Sequence, residues 1–203
     1  SADHASYLKL ADSLRTKGLY NEAISEYARL GPIVQKSPGS PYAKIVEIWP
    51  IYCYIKLYET YAKAALKDAR YKGPAGKIFN TAMQSVKKLD EKPPSRQTNE
   101  YSLYKLIRAL LRVQYARQYE QGGNELKAAE FYRQSVLEVT EGIVSARVGL
   151  DWLPESLLMA GGAYEKLNLN EAAMNVYKQV SIFYEGSKWA VESKKRLDAL
   201  PAS

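Results

Sequence analysis

The chain has 203 residues, of which 46% are apolar and 25% charged, with a net charge of +7 and a pI near 9.2. That apolar share can bury a continuous core, and no uninterrupted apolar run reaches the about 20 residues of a membrane-spanning helix. Cys53 is the only cysteine and His4 the only histidine, which excludes an internal disulfide and a cysteine zinc site, and leaves a histidine-based catalytic triad no candidate but His4.

The opening residues, Ser1-Ala2-Asp3-His4, lack the basic-then-apolar layout of a signal peptide. From Tyr7 the chain reads as a helix, with Leu8, Ala11 and Leu14 on one face, then a turn at Gly18 and a second helix through Ala23 and Tyr27. Ser37-Pro38-Gly39-Ser40-Pro41 predicts a turn, with Ser40 as helix cap and Pro41 at the first helical position. A long helix follows to about Arg70, with a kink or restart at Pro50. Tyr54, Tyr58 and Tyr61 stand at i, i+4 and i+7 on it, an aromatic stripe that would suit an apolar peptide or helix if it lines a concave wall.

Gly73 ends that helix, and Ala75 belongs to the next helix pattern, which carries Phe79 and stops at Lys92-Pro93-Pro94-Ser95, the strongest break in the chain. Asn99-Glu100 starts another helix, whose Leu103, Leu106, Ile107, Leu110, Leu111 and Val113 keep a helical period. Gly122-Gly123 ends it, and Ala128 and Tyr132 belong to its partner. A restart near Gly149–Pro154 leads to Gly161, Tyr164, Ala173 and Tyr177, and Ser187 caps a final amphipathic helix over 187–199. No segment alternates with a period of two, so the chain is predicted to be all-α.

These segments repeat one another. The first and last pairs align without a gap at a constant offset of 150 residues: Ala11 with Gly161, Leu14 with Tyr164, Ala23 with Ala173, Tyr27 with Tyr177. Ala116, Tyr119, Ala128 and Tyr132 make a third copy. Lys63, Leu66, Ala75 and Phe79 make a fourth that departs from the pattern. The small residues predict close helix crossings, with the aromatic ring filling the space beside each. The tyrosines at repeat positions therefore read as core.

This pattern resembles the tetratricopeptide repeat, although the register alanines 23, 75, 128 and 173 are spaced by 45 to 53 residues and the family repeats every 34 or so. The resemblance implies one domain over 1–203, a right-handed superhelical solenoid of antiparallel hairpins over about 4–38, 41–92, 98–148 and 151–185, closed by the 187–199 helix. The turn around Tyr184, Gly186 and Ser187, with Ala190 and Arg196-Leu197 after it, is similar to repeat ends in bacterial cell-envelope proteins of this family, which implies a periplasmic or envelope setting. The family presents groove residues from the first helix of each pair. By register these include Leu8, Asp12 and Arg15; Leu57, Thr60 and Lys67; Val113, Arg117 and Glu120; and Leu158, Gly162 and Glu165. With the stripe, the expected partner-binding residues are Arg15, Tyr54, Leu57, Tyr58, Thr60, Tyr61, Lys67, Val113 and Arg117. Leu8 and Asp12 stand where the Lys and Asn of a chaperone-tail carboxylate clamp would be.

No catalytic or metal site is legible. The carboxylate pairs Asp90-Glu91 and Glu138/Glu141 read as solvated helix-end charges, and Gly161-Gly162 sits inside a helical pattern where close packing accounts for it. The sequence therefore predicts a non-enzymatic scaffold without a cofactor, binding a partner protein or peptide. Between Lys63 and Arg112, 12 basic residues face 4 acidic ones, a balance of +8. That stretch supports an alternative, nucleic-acid binding by a helical repeat. A third reading is a subunit whose apolar faces are covered in a larger assembly.

Overall fold

In the computed structural model, which describes residues 2–37, 39–147 and 149–201, the secondary structure is helical throughout. The α-helices among them are α1 (Ala2–Thr16), α2 (Tyr20–Gln35), α3 (Ala43–Ala65), α4 (Lys72–Glu91), α5 (Asn99–Gln121), α6 (Glu125–Ser145), α7 (Leu153–Lys166), α8 (Asn170–Phe183) and α9 (Lys188–Ala199). None of these helices is long and apolar enough to cross a membrane. The chain groups into two compact units, Ser1–Pro94 with α1 to α4 and Ser95–Ser203 with α5 to α9, divided at the predicted Pro93-Pro94 break.

In the first unit α1 packs on α2, α2 on α3, and α3 on α4. The α1–α2 turn is tight because Gly18 takes the left-handed conformation (φ 78°), which a Cβ would oppose. Ala11 and Ala23 are fully buried at this crossing and Tyr27 is fully buried beside it, as the repeat pattern requires. The α3–α4 connection is built differently. Lys63 and Leu66 are exposed, and the chain turns through a short 3₁₀ segment, Ala69–Tyr71, where Asp68 accepts the Arg70 amide at 3.0 Å. Gly73, expected at the end of a first helix, lies inside the first turn of α4.

Two boundaries also differ from expectation. The third helix begins at Ala43 rather than Pro41, because the Ser40 hydroxyl accepts the Tyr42 amide at 3.3 Å and holds a turn there instead of capping a helix. The helix then runs through Pro50 to Ala65. Pro38 and Val148, which fall in the predicted turn and at the end of the third hairpin, lie outside the described residues.

In the second unit α5 packs on α6, α6 on α7, α7 on α8, and α9 closes over α7 and α8. Gly123 (φ 76°) and Asn168 (φ 58°) occupy the turn position of Gly18. At Gly161 a methyl group would collide with the Tyr177 ring, and at Gly142 it would lie 2.9 Å from Lys105 Cβ, so both glycines permit close helix approach. Ser187 caps α9 as predicted, accepting the Ala190 amide at 3.1 Å. The wide repeat spacing has a simple origin: α3 to α6 have 20 to 23 residues each, against 14 to 16 in α1, α2, α7 and α8.

Candidate functional site

α2 and α4 both pack on α3, and a groove of about 550 Å³ runs along the three helices. α2 contributes Ile24, Ala28 and Gly31, and α3 contributes Val46, Pro50 and Tyr54. Ser85 and Lys88 of α4 form the far edge. The volume lies within the range of about 300–1,000 Å³ typical of ligand clefts, and the lining is mostly apolar with few polar groups.

The floor of the groove is held by a polar network. Tyr27 borders it, and the Tyr27 hydroxyl donates to the Asp12 carboxylate and accepts from Arg15 Nε at 3.0 Å. The Arg15 guanidinium in turn lies 3.3 Å from the centre of the Trp49 ring, and Trp49 packs edge-on against Tyr52. α1, α2 and α3 are thus tied together by one side chain. Burial, only partly offset by the nearby guanidinium, raises the Tyr27 hydroxyl pKa well above the ordinary tyrosine value, so it stays a donor at neutral pH. Burial also pushes the Cys53 thiol up to about 12, which leaves it protonated and unreactive.

Gly31 lines the groove. It sits inside α2, where glycine costs about 1 kcal/mol relative to alanine, yet nothing lies within 4 Å of where its Cβ would be. Close packing therefore does not account for it. Nor does the following Pro32, because Trp49 carries a large side chain directly before Pro50 in the same helical setting of α3. A side chain at position 31 would project into the groove region.

The predicted binding residues separate into three groups. Tyr54 lines the groove. Tyr58 and Tyr61 are half-buried and packed on their own unit, against Phe79 (ring centres 4.8 Å apart) and Tyr71 (5.8 Å), so the stripe is mainly a packing surface. Leu57 (9% exposed) and Val113 (8%) are core residues, and Arg15 is engaged in the network beneath the groove; these three do not present a surface to a partner. Thr60 is exposed with its hydroxyl donating to the Lys56 carbonyl at 3.3 Å, Lys67 is exposed in the turn after α3, and Arg117 is exposed on α5 in the other unit. Thr60 and Lys67 do not line the groove with Tyr54. Gly31, Val46 and Lys88 were not singled out from the sequence; a glycine in mid-helix with no left-handed turn to serve was the available signal.

The basic stretch also divides. Lys105, Arg108 and Arg112 of α5 surround Glu138 of α6 at 3.0, 3.1 and 3.8 Å, and Lys105 also reaches Glu141 at 2.9 Å. Glu138 is therefore a paired, largely buried carboxylate (12% exposed side chain) rather than a solvated helix-end charge. The hydrogen bond from Lys105 holds the Glu141 carboxyl below its usual range. With Arg70, which pairs with Asp68 at 2.8 Å, at least four of the twelve cations expected to meet phosphate are thus matched internally. By composition the first unit holds 15 basic and 9 acidic residues, a balance of +6, and the second 14 and 13, a balance of +1.

Among the described residues no three His, Cys, Asp or Glu side chains cluster as a bound metal would require. Comparison with family models and with curated proteins gives no match for this chain.

Proposed function

We propose that this protein is a non-catalytic interaction module and that its first unit holds a segment of a partner protein in the groove between α2 and α4. The observation that carries this reading is Gly31, a helix-weakening residue whose side-chain space is empty and opens on an apolar cleft. An extended or helical segment laid along such a cleft gains affinity from a few apolar anchors, and the tie among Tyr27, Arg15 and Trp49 keeps the cleft formed before binding. We read the helix pairs within each unit as tetratricopeptide-like and right-handed in their stacking. The repeated small-residue crossings and the shared turn conformation of Gly18, Gly123 and Asn168 support that reading.

The test is affinity capture from a lysate of the source cells with wild-type protein and with Gly31→Trp, each with and without nuclease. Proteins retained after nuclease by the wild type and lost with Gly31→Trp support the proposal. Retention that vanishes with nuclease contradicts it in favour of nucleic-acid binding. Retention indifferent to Gly31→Trp places the partner elsewhere.

A further inference from the structure

We infer that the occupant of the first unit's groove is an acidic amphipathic segment: apolar side chains on one face, seated between α2 and α3, and Asp or Glu side chains directed at α4. This rests on the groove being the binding site.

The charge around the groove carries the inference. The first unit holds +6 of the chain's +7, so its field favours an anionic partner at a distance. On α4, Lys77 and Lys88 are eleven residues apart, about three turns, and so share one face; Ser85 and Lys88 of that face line the groove. Both lysines are exposed, and neither makes an ion pair among the described residues. Glu47 is the one acidic residue in the lining. It is matched by Lys44 at 3.1 Å, and the Lys44 ammonium also donates to the Lys92 carbonyl at 2.8 Å, which anchors it at that rim. The one acid of the lining is thus already paired, while Lys88 is open to a partner. A ligand with basic side chains would meet Lys88 and Lys77 without compensation. One with carboxylates would pair with them while its apolar face covers Ile24, Val46 and Tyr54.

Selection from a phage-displayed library of random 16-residue peptides on the immobilised full chain tests this. One enriched peptide is then synthesised and its affinity measured for wild type, Gly31→Trp and the double variant Lys77→Glu/Lys88→Glu, each first shown to melt cooperatively by circular dichroism. The expected result is enrichment of sequences pairing apolar residues at i, i+4 and i+7 with Asp or Glu. Binding should be lost with Gly31→Trp and weakened about tenfold by the charge reversals. Enriched sequences without an acidic bias, lost with Gly31→Trp but indifferent to the charge reversals, would overturn the acidic assignment and leave the groove reading standing. Absence of enrichment, or binding indifferent to Gly31→Trp, would overturn both.

Discussion

Arg15 sits over the Trp49 ring, its guanidinium carbon 3.3 Å from the ring centre, and joins α1 to α3 while its Nε donates to the Tyr27 hydroxyl of α2. The same place in the third and last repeats is taken by a carboxylate. Glu165 accepts from Tyr177, and Glu120 accepts from Tyr132 at 2.9 Å. In the first pair Asp12, one turn earlier, supplies the carboxylate and Arg15 is freed to reach α3.

Its contact with Trp49 means that lysine is not equivalent to Arg15. A planar guanidinium satisfies both the ring face and the Tyr27 hydroxyl, whereas an ammonium is a hydrated point charge. Arg15→Lys is expected to cost about 1 kcal/mol and Arg15→Ala about 2–3 kcal/mol, the latter also leaving Tyr27 short of a donor. Urea unfolding of the two variants measures both.

The buried tyrosine hydroxyls predict a specific alkaline sensitivity. Burial raises Tyr132 and Tyr177, and the hydrogen bonds to Glu120 and Glu165 raise them further. An unfolded tyrosine titrates near 10, so the folded state keeps these protons longer. Their contribution is complete below about pH 10 and is lost as pH rises above it. The urea midpoint of the wild type should fall more between pH 8 and 10.5 than that of Tyr132→Phe/Tyr177→Phe. At pH 8 each single Phe variant should be less stable by about 1–2 kcal/mol. Phe79→Tyr should gain nothing, because Lys67 stands where the carboxylate would be.

One substitution has opposite signs at two helical glycines. Gly161→Ala forces a methyl group into the Tyr177 ring and should destabilise by about 1–3 kcal/mol. Gly31→Ala meets open space and removes a helix-weakening residue, so it should stabilise by about 0.5–1 kcal/mol while narrowing the groove. Thermal melts of the pair decide whether Gly31 is retained for binding rather than for packing.

Glu138 is the hub of the α5–α6 charges. Glu138→Gln leaves Lys105, Arg108 and Arg112 close together without their shared anion and is expected to cost about 3 kcal/mol, the low end for breaking a buried pair. Removing Glu141, which is half exposed, should cost under about 1 kcal/mol. Denaturant titration of the two single variants checks the ranking.

Local geometry was legible in the sequence to the extent that it repeats. The offset of 150 residues pairs Gly18 with Asn168 at the left-handed turn and Tyr27 with Tyr177 in the core, because each depends on residues within one helix pair. From sequence Arg15 reads as a surface anchor, because its partner Trp49 lies 34 positions away, beyond any helical period. The groove was not legible for a related reason. Its width depends on how α2 and α4 sit on α3, and only Tyr54 of the aromatic stripe projects into it. The ion pairs of Glu138 likewise join helices 26 to 33 positions apart, so composition alone left that charge looking solvated.

The central claim, that a partner segment occupies the first unit's groove, is tested most directly by photo-crosslinking. A benzoylphenylalanine replaces Tyr54 in the groove or, in a second protein, Arg117 on α5, and each is irradiated in lysate of the source cells. A discrete protein adduct from position 54, absent at 117 and abolished by adding Gly31→Trp, is the predicted result. An adduct from 117 with none from 54 would contradict the account.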